Sequence, residues 1–434
     1  MAQEENFTAL VPWKPTPTLI PAQWQTYLEE LGHKAKGPHY IAGLSYDRQG
    51  TSNLLREWGL PLPVVVAGGL LFYTEKELRH IAADERRELL AHMRSAQRYI
   101  GCIEDEDLST LLSAPYDDLG ARLIAVAVYY VALKGLSQRK NKRPFNHHEL
   151  SHIESIGTTL VNITKKFNLW LFKRDVEDLV LQLQEPVQYR SIEEELQKIL
   201  QRDDEKIEGF CHAAAIILQQ AVQTPVRVAY SACGVEGFSR RQQVKQMTAT
   251  SRKNQLTGFD LVIFDVIVPL AKDCYSTFGA LNHLGYSDQL TEHIAHPKLN
   301  GSSYLSTGLI LEQKPYLYNL PWLSQNTFVA QLQIATSVMN AVTRYGCLYP
   351  DCYTLYTGGA LRGSENSSLK EVLNCEHGNI YTSIAESLKQ GPVAINESAP
   401  ITVYNKRLRP YSLPKGATVL DFAYACDENL TGYV

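Results

Sequence analysis

A change in hydrophobic pattern near Pro225 constrains the fold of this chain more than any other feature. Before it, apolar residues recur at helical spacing through 76–99, 118–136, 167–184 and 192–223. After it, β-branched and aromatic runs occur at 226–230, 261–268, 304–311 and 328–334, with helical patterns at 272–284 and 337–345 between them. The sequence therefore predicts an α+β protein, with an all-α first part followed by helices around one mixed β-sheet.

The most apolar segment is too short to cross a membrane. Between Arg122 and Lys134 lie eleven uncharged residues, whereas a spanning helix needs about 20. The segment therefore predicts a buried helix. The acidic opening at 1–6 lacks the basic and apolar parts of a signal peptide. We therefore expect a cytoplasmic protein.

Charge and cysteine usage narrow the class of partner. The 42 basic residues are balanced by 46 acidic ones, giving a formal charge of −4, which argues against adhesion of the whole protein to nucleic acid or to a membrane surface. The eight cysteines form no Cys-x-x-Cys pair, a pattern typical of reduced thiols.

Composition divides the chain into successive parts. A Pro-rich lead at 1–22 precedes a helical domain at 23–143, whose end is a basic segment at 137–143 followed by the helix-breaking Pro144. Bridging helices at 144–200 lead to the sheet domain at 201–350. A linker with a short helix at 379–390 occupies 351–398, and a small β unit begins the segment 399–434.

One motif matches a known metal site. His148, Glu149 and His152 form His-Glu-x-x-His, which on a helix places two imidazoles on one face for zinc, with the glutamate as general base. Asn146 and Glu149 also have the spacing of a capping box, in which the glutamate would bind the backbone at the start of a helix. The sequence leaves both a zinc hydrolase and a solvated helix start open.

The sheet region carries a second set of candidate residues. Arg240, Arg241 and Lys245 lie in an acid-free stretch that could bind phosphates. Asp260 and Asp265 lie on an apolar strand, where an unpaired carboxylate is costly to bury, so each requires a cation or a metal ion. Magnesium and a structural ion pair both satisfy that requirement.

Several segments, taken in order, resemble the Rel/SpoT-type enzymes, which make and degrade the alarmone (p)ppGpp of the stringent response. Segment 167–179 resembles the bridge between hydrolase and synthetase, 259–268 the metal-binding strand, 297–301 the nucleotide loop, and 330–336 the strand with the catalytic glutamate. Segment 413–424 resembles the opening of a TGS module. The resemblance implies a degenerate HD-like helical domain, a nucleotidyltransferase-like sheet domain and a partial β-grasp, TGS-like unit at 399–434.

The chain departs from the family's synthetase pattern where charge is required. The family's phosphate-gripping cations fall on 232–235, its two arginines on Val262 and Asp265, its guanine-stacking tyrosine on Ser302, and its catalytic glutamate on Gln331. Phosphoryl transfer depends on positioned cations, magnesium and a carboxylate. These replacements predict that the synthetase site does not catalyse pyrophosphate transfer.

The resemblance also places the metal ligands of the hydrolase on residues that cannot bind a metal. The first histidine falls near Gly43, the His-Asp pair on Phe72 and Tyr73, and the distant aspartate on Val128. These side chains are apolar, apart from the tyrosine hydroxyl. The hydrolase site is therefore expected to be inactive as well.

Together these features predict a Rel/SpoT-like pseudoenzyme that binds a nucleotide or alarmone and acts through regulation or interaction. The nucleotide-binding candidates are Arg240, Arg241, Lys245, Lys298, Asn300, Gly301 and Tyr304. The resemblance implies Asp260 as a magnesium ligand beside the nucleotide. It implies the ribosome, tRNA or an active relative as partners of the TGS-like region. The alternatives are an active pyrophosphokinase with an altered magnesium site and the zinc hydrolase of His148 and His152.

Overall fold

The computed structural model describes residues 13–34, 40–41, 44–104, 118–138, 145–248, 256–287, 290–298, 300–311, 320–324, 328–357, 378–389, 401–404 and 410–413. The chain divides into two compact units, Met1–Lys389 and Gln390–Val434. Within the second unit the described residues are two antiparallel strands, Ile401–Tyr404 and Pro410–Leu413. Most of the predicted TGS-like segment lies outside the described residues.

The first part of the larger unit is mostly helical, as the pattern predicts. Its elements are α1 (Ala22–Lys34), β1 (Tyr40–Ile41), β2 (Leu44–Ser45), α2 (Arg48–Glu57), α3 (Leu62–Gly69), α4 (Ala83–Glu104), α5 (Leu119–Ser137), α6 (His147–Lys166), α7 (Trp170–Gln184) and α8 (Pro186–Val222). The two-residue strands β1 and β2 form a small antiparallel ladder. The expectation of an all-α first part therefore misses one short hairpin.

The second part contains the sheet. Its elements are β3 (Arg227–Ala232), α9 (Val235–Thr248), α10 (Gly258–Leu261), β4 (Val262–Val268), α11 (Ala271–Ala280), β5 (Gly285–Tyr286), β6 (Thr291–Glu292), β7 (Leu305–Leu311), β8 (Val329–Thr336), α12 (Ser337–Tyr345), α13 (Pro350–Tyr356) and α14 (Gly378–Lys389). The strand order is β3-β4-β8-β7-β5, and β6 also pairs with β7. Only β4 and β8 pair in parallel among the described strands, so the sheet is mixed.

Strand register separates the sheet into an apolar face and a polar face. Phe264 and Leu332 are paired across β4 and β8 and are buried, with the Phe264 ring 4.9 Å from that of Phe210 on α8. Asp265 is paired with Gln333, which is paired in turn with Ser306. Because neighbouring residues of a strand point to opposite faces, these polar side chains share the face that turns away from α8.

Helix α5 is the core of the helical part. It contains the predicted apolar run and is capped by Asp118, whose carboxylate accepts a hydrogen bond from the backbone N–H of Ala121 at 2.8 Å. The helix has the length and hydropathy of a membrane span, but 78% of its apolar window is buried inside the protein. Packing against neighbouring helices therefore accounts for its apolar composition.

Tight backbone contact joins the helical part to the sheet part. Asn168, between α6 and α7, has the left-handed φ of 56°, and Gly346, after α12, has φ 49°. A Cβ at Gly346 would lie 1.9 Å from the carbonyl oxygen of Phe167. Glycine is therefore required at 346, where the end of α12 meets the α6–α7 junction.

Candidate functional site

A cavity of about 270 Å³ lies between the α6–α7 junction and the polar face of the sheet. Its wall comes from that junction, from three strands, from the loop at 298–304 and from α12. The lining residues are Thr164, Lys165, Asn168, Trp170, Lys173, Ser231, Ile263, Asp265, Lys298, Asn300, Ser302, Tyr304, Gln333, Thr343 and Arg344. We refer to this cavity as the sheet cleft.

The loop at one side of the sheet cleft is shaped by a glycine turn. Gly301 has φ 84°, and its N–H donates to the carbonyl of Lys298 at 2.7 Å. A side chain at 301 would also collide with Ile384, because a Cβ would lie 2.7 Å from its Cδ1. The turn directs Lys298 toward Tyr304, with the Lys298 ammonium 2.7 Å from the phenol oxygen and 5.1 Å from the ring centroid.

Asn168 holds that loop against the helices. Its side-chain N–H donates to the carbonyl of Val342 at 2.7 Å. Its side-chain oxygen accepts from Ser302 Oγ at 3.0 Å and from Asn300 Nδ2 at 3.3 Å. Asn168 is only 7% exposed, so these bonds are sheltered from water and fix the loop relative to the α6–α7 junction.

The floor of the sheet cleft contains a buried ion pair. Asp265 is 4% exposed and accepts hydrogen bonds from Arg344, from Ser231 at 3.3 Å and from Asn340 at 3.2 Å. Burial raises the pKa of Asp265, while the Arg344 guanidinium and the three hydrogen bonds oppose the rise. Arg344 therefore compensates the charge of Asp265, the one carboxylate among the described residues that line the sheet cleft.

The remaining charge of the sheet cleft is positive. Lys173 is paired with Glu177 at 2.6 Å, but Lys165 and Lys298 are exposed and form no ion pair in the described part of the chain. The pKa of His293, next to the loop, is lowered by burial and by the charge of Lys298. Two ammonium groups in a cleft that Trp170 and Tyr304 also line suit a ligand that has an anionic group and a flat body.

The structure brings only some of the predicted nucleotide-binding residues together. Lys298, Asn300 and Tyr304 line the sheet cleft, and Gly301 makes their turn. Arg240 lies elsewhere, on α9. It pairs with Glu177 and Glu236, each at 2.9 Å. Arg241 donates to the backbone carbonyl of Asp260. The side chain of Lys245 lies outside the described residues.

The residues at the expected magnesium site do not suit magnesium. Asp260 is in α10, not on the strand, and its carboxylate accepts from the N–H of Thr257 at 2.8 Å and the hydroxyl at 2.9 Å as a helix cap. Asp265 is neutralised by Arg344, and Gln331 offers an amide. Magnesium prefers carboxylate and phosphate oxygens, and both carboxylates here are already engaged by protein groups.

The His-Glu-x-x-His motif is the start of α6. Asn146 accepts from the N–H of Glu149, and the Glu149 carboxylate accepts from the N–H of Asn146, both at 2.9 Å. The capping box predicted from the sequence is therefore confirmed. His148 is exposed, and the described residues contain no cluster of three or more potential metal ligands.

The positions that the resemblance assigns to the hydrolase metal are occupied by packing contacts. The ring of Phe72 is 5.1 Å from that of Tyr46, Tyr73 accepts a hydrogen bond from Arg48 at 2.5 Å, and Val128 is 1% exposed. Gly43 lies outside the described residues.

Sequence reasoning did not identify most residues that line the sheet cleft, among them Lys165, Asn168, Trp170 and Arg344. Asn168 left a usable signal, since an asparagine that interrupts a helical pattern is among the few residues that adopt a left-handed φ readily. Arg344 left none, because its partner Asp265 is 79 residues away.

Sequence comparison finds relatives among the GTP pyrophosphokinases. The GTP pyrophosphokinase rsh of Brucella ovis and that of Brucella abortus strain 2308 are 22% identical to this chain over 345 residues, and that of Brucella suis is 23% identical. The alignments cover 74% of this chain and 40% of each relative, so the chain spans well under half the length of the proteins it matches. No family model matches the chain.

Among solved structures, the small alarmone synthetase 2 of Bacillus subtilis matches 46% of this chain and 96% of its own length, with 14% identity and a TM-score of 0.24. The relationship therefore rests on sequence. The chain is distantly related to the Rel/SpoT-type GTP pyrophosphokinases.

Proposed function

We propose that this protein binds a guanine nucleotide or alarmone in the sheet cleft and acts as a regulatory relative of the Rel/SpoT enzymes without transferring pyrophosphate. The observation that carries the proposal is the loop at 298–304. It holds Lys298, Asn300 and Tyr304 on one side of a cleft that opens onto a polar sheet face. The relatives named GTP pyrophosphokinase supply the class of ligand.

The charge of the cleft supports an anionic ligand. Lys165 and Lys298 are exposed ammonium groups, each able to form charge-assisted hydrogen bonds with phosphate oxygens. The volume of about 270 Å³ lies just below the roughly 300–1,000 Å³ of ordinary small-molecule pockets. We therefore expect the cleft to enclose part of a nucleotide, with the rest lying over the adjoining sheet face.

The chemistry of the sheet face argues against turnover. Transfer of a pyrophosphoryl group requires a carboxylate to orient the attacking hydroxyl and cations around the transferred group. Gln331 lies on this face beside Gly308, and its amide cannot accept a proton at neutral pH. Arg344, the cation at the floor, already compensates Asp265.

The domain assignments belong to the same proposal. We propose that 23–143 derives from an HD-type hydrolase domain, that 201–350 corresponds to the synthetase domain, and that 399–434 is part of a TGS-like module. In this proposal the protein works in the cytoplasm, and the TGS-like region contacts the ribosome, tRNA or an active relative.

The test is calorimetric titration of the full chain with GTP, ATP and (p)ppGpp, with and without magnesium. We expect saturable binding of a guanine nucleotide and about tenfold weaker binding by Lys298→Ala, the loss of one hydrogen bond to a charged group. The matched control is Lys272→Ala, an exposed lysine on α11 outside the cleft. Equal binding by Lys298→Ala and Lys272→Ala would reject the cleft as the site.

A further inference from the structure

A second and larger cavity lies in the helical part, away from the sheet cleft. Its volume is about 460 Å³, within the range of about 300–1,000 Å³ that small-molecule sites occupy. It lies between α1 and α2, with Gly69 at the end of α3 contributing to its wall. We refer to it as the helical cavity.

One face of α2 lines the helical cavity with groups that bind anions. Arg48, Ser52 and Arg56 are spaced four residues apart, so they form a stripe along one side of the helix. The stripe spans about 12 Å of helix axis, which is short enough for two flexible arginine side chains to converge on one group above the serine. Arginine pairs with oxyanions through two parallel hydrogen bonds.

Two polar atoms of this stripe are buried and have no hydrogen-bond partner. Ser52 is 5% exposed and its Oγ is unpartnered. Arg56 Nε is likewise buried and unpartnered, and Arg56 forms no ion pair in the described part of the chain. Buried polar groups are rarely left unpaired because their desolvation is then uncompensated, and both residues line the adjoining cavity.

Arg48 is already held in position. Its Nη1 donates to the hydroxyl of Tyr73 at 2.5 Å, and its guanidinium lies 5.0 Å from the centroid of that ring. The contact leaves other guanidinium N–H groups available, since arginine has five. The side chain is thus preorganised at one end of the stripe.

The rest of the wall indicates a compact organic molecule that carries the anion. Gln25, Gln49 and Asn53 supply amides that can donate and accept hydrogen bonds, and Ile20 and Leu28 supply apolar surface. Among the described residues, Glu29 is the one acidic side chain that lines this cavity, and it is exposed. The two arginines therefore leave the wall with a net positive charge.

We propose that the helical cavity is a binding site for a compact organic oxyanion, recognised by Arg48, Ser52 and Arg56. A phosphate monoester and a carboxylate share this chemistry. The site is independent of the nucleotide proposed for the sheet cleft.

The experiment titrates the full chain with inorganic phosphate, glycerol 3-phosphate and succinate, and follows calorimetric heat and the melting temperature. We expect saturable binding of at least one of these probes, accompanied by a rise in melting temperature. Preference for glycerol 3-phosphate identifies a phosphate ester as the natural class, and preference for succinate identifies a carboxylate.

The variants decide whether the cavity is the site. Ser52→Ala should weaken binding about tenfold and should not lower the melting temperature of the unliganded protein, because the deleted hydroxyl has no partner. Arg56→Gln should abolish detectable binding. Arg94→Gln, which changes an exposed arginine on α4, should bind as wild type.

The proposal is overturned if none of the three probes binds saturably, or if Ser52→Ala and Arg56→Gln both bind as tightly as Arg94→Gln. Loss of all saturable binding in Lys298→Ala would also overturn it, since the anion would then occupy the sheet cleft alone. If Arg56→Gln does not fold, the binding of Ser52→Ala alone decides whether the helical cavity is the site.

Discussion

Replacing Arg344 by glutamine should destabilise the protein because it leaves a buried carboxylate without its cation. Asp265 is 4% exposed, and the side chain of Arg344 is 19% exposed. The substitution keeps a polar side chain of similar length but removes the charge. The affected pair lies on the floor of the sheet cleft, where β4 and α12 meet.

The expected loss in the free energy of unfolding is about 3 kcal/mol. Removing one partner of a buried ion pair costs about 3–5 kcal/mol. The lower end applies here, because Ser231 and Asn340 continue to donate to Asp265. In the double variant Asp265→Asn with Arg344→Gln no charge is buried, so about 2 kcal/mol should be recovered.

Chemical denaturation of the wild type, the two single variants and the double variant measures this coupling. The pKa of Asp265, already raised by burial, should rise further without the guanidinium. The pKa of this carboxyl in the folded state then lies above its pKa in the unfolded state, which is about 3.9. Stability is lost as pH rises from the unfolded pKa through the folded pKa. The deficit of Arg344→Gln should therefore be smallest near pH 4 and grow with pH. A cost below about 1 kcal/mol at pH 7, or an equal cost in the Asp265→Asn background, would refute the reasoning.

Two further predictions concern the start of α6 and the contact between α8 and α10. Asn146→Ala removes half of the capping box that begins α6 and should lower the free energy of unfolding by about 1 kcal/mol. Chemical denaturation measures this loss, with His148→Ala as the control that should not change the free energy of unfolding. His148→Ala should also leave the zinc content of the purified protein unchanged. Burial opposes ionisation of Asp203, but hydrogen bonds from Arg202, Lys206 and the N–H of Gly258 lower its pKa to about 2. The contribution of the Asp203 carboxylate to the free energy of unfolding should therefore be complete above about pH 4 and be lost as pH falls toward 2. In Asp203→Asn, stability should not show this decrease between pH 4 and pH 2. Identical acid profiles for the two proteins would contradict this assignment.

Local patterns in the sequence locate most of the regular structure. The β-branched run at 261–268 is β4, and the helical pattern at 337–345 has the bounds of α12. The helix predicted from residue 76 begins instead at Ala83. The carboxylate of Glu77 accepts from the N–H and hydroxyl of Thr74, as in a capping box, but the turn that begins there is not continued as a helix before Ala83.

The candidate site is only partly readable from the sequence. The loop with Lys298 and Asn300 is identified by its resemblance to a nucleotide loop, and its turn by composition. Asn168 contacts Asn300 across 132 positions and Val342 across 174. No short-range pattern encodes such contacts, because they depend on how α6, α7 and the sheet pack together.

The central claim is that the sheet cleft binds a guanine nucleotide but does not transfer pyrophosphate. The most direct measurement is an assay of purified full chain with radiolabelled ATP and GTP or GDP in magnesium, performed at concentrations that saturate binding by calorimetry. We predict bound nucleotide and no labelled alarmone. Labelled alarmone made by the wild type and lost in Asp260→Ala would contradict the claim and identify an active enzyme.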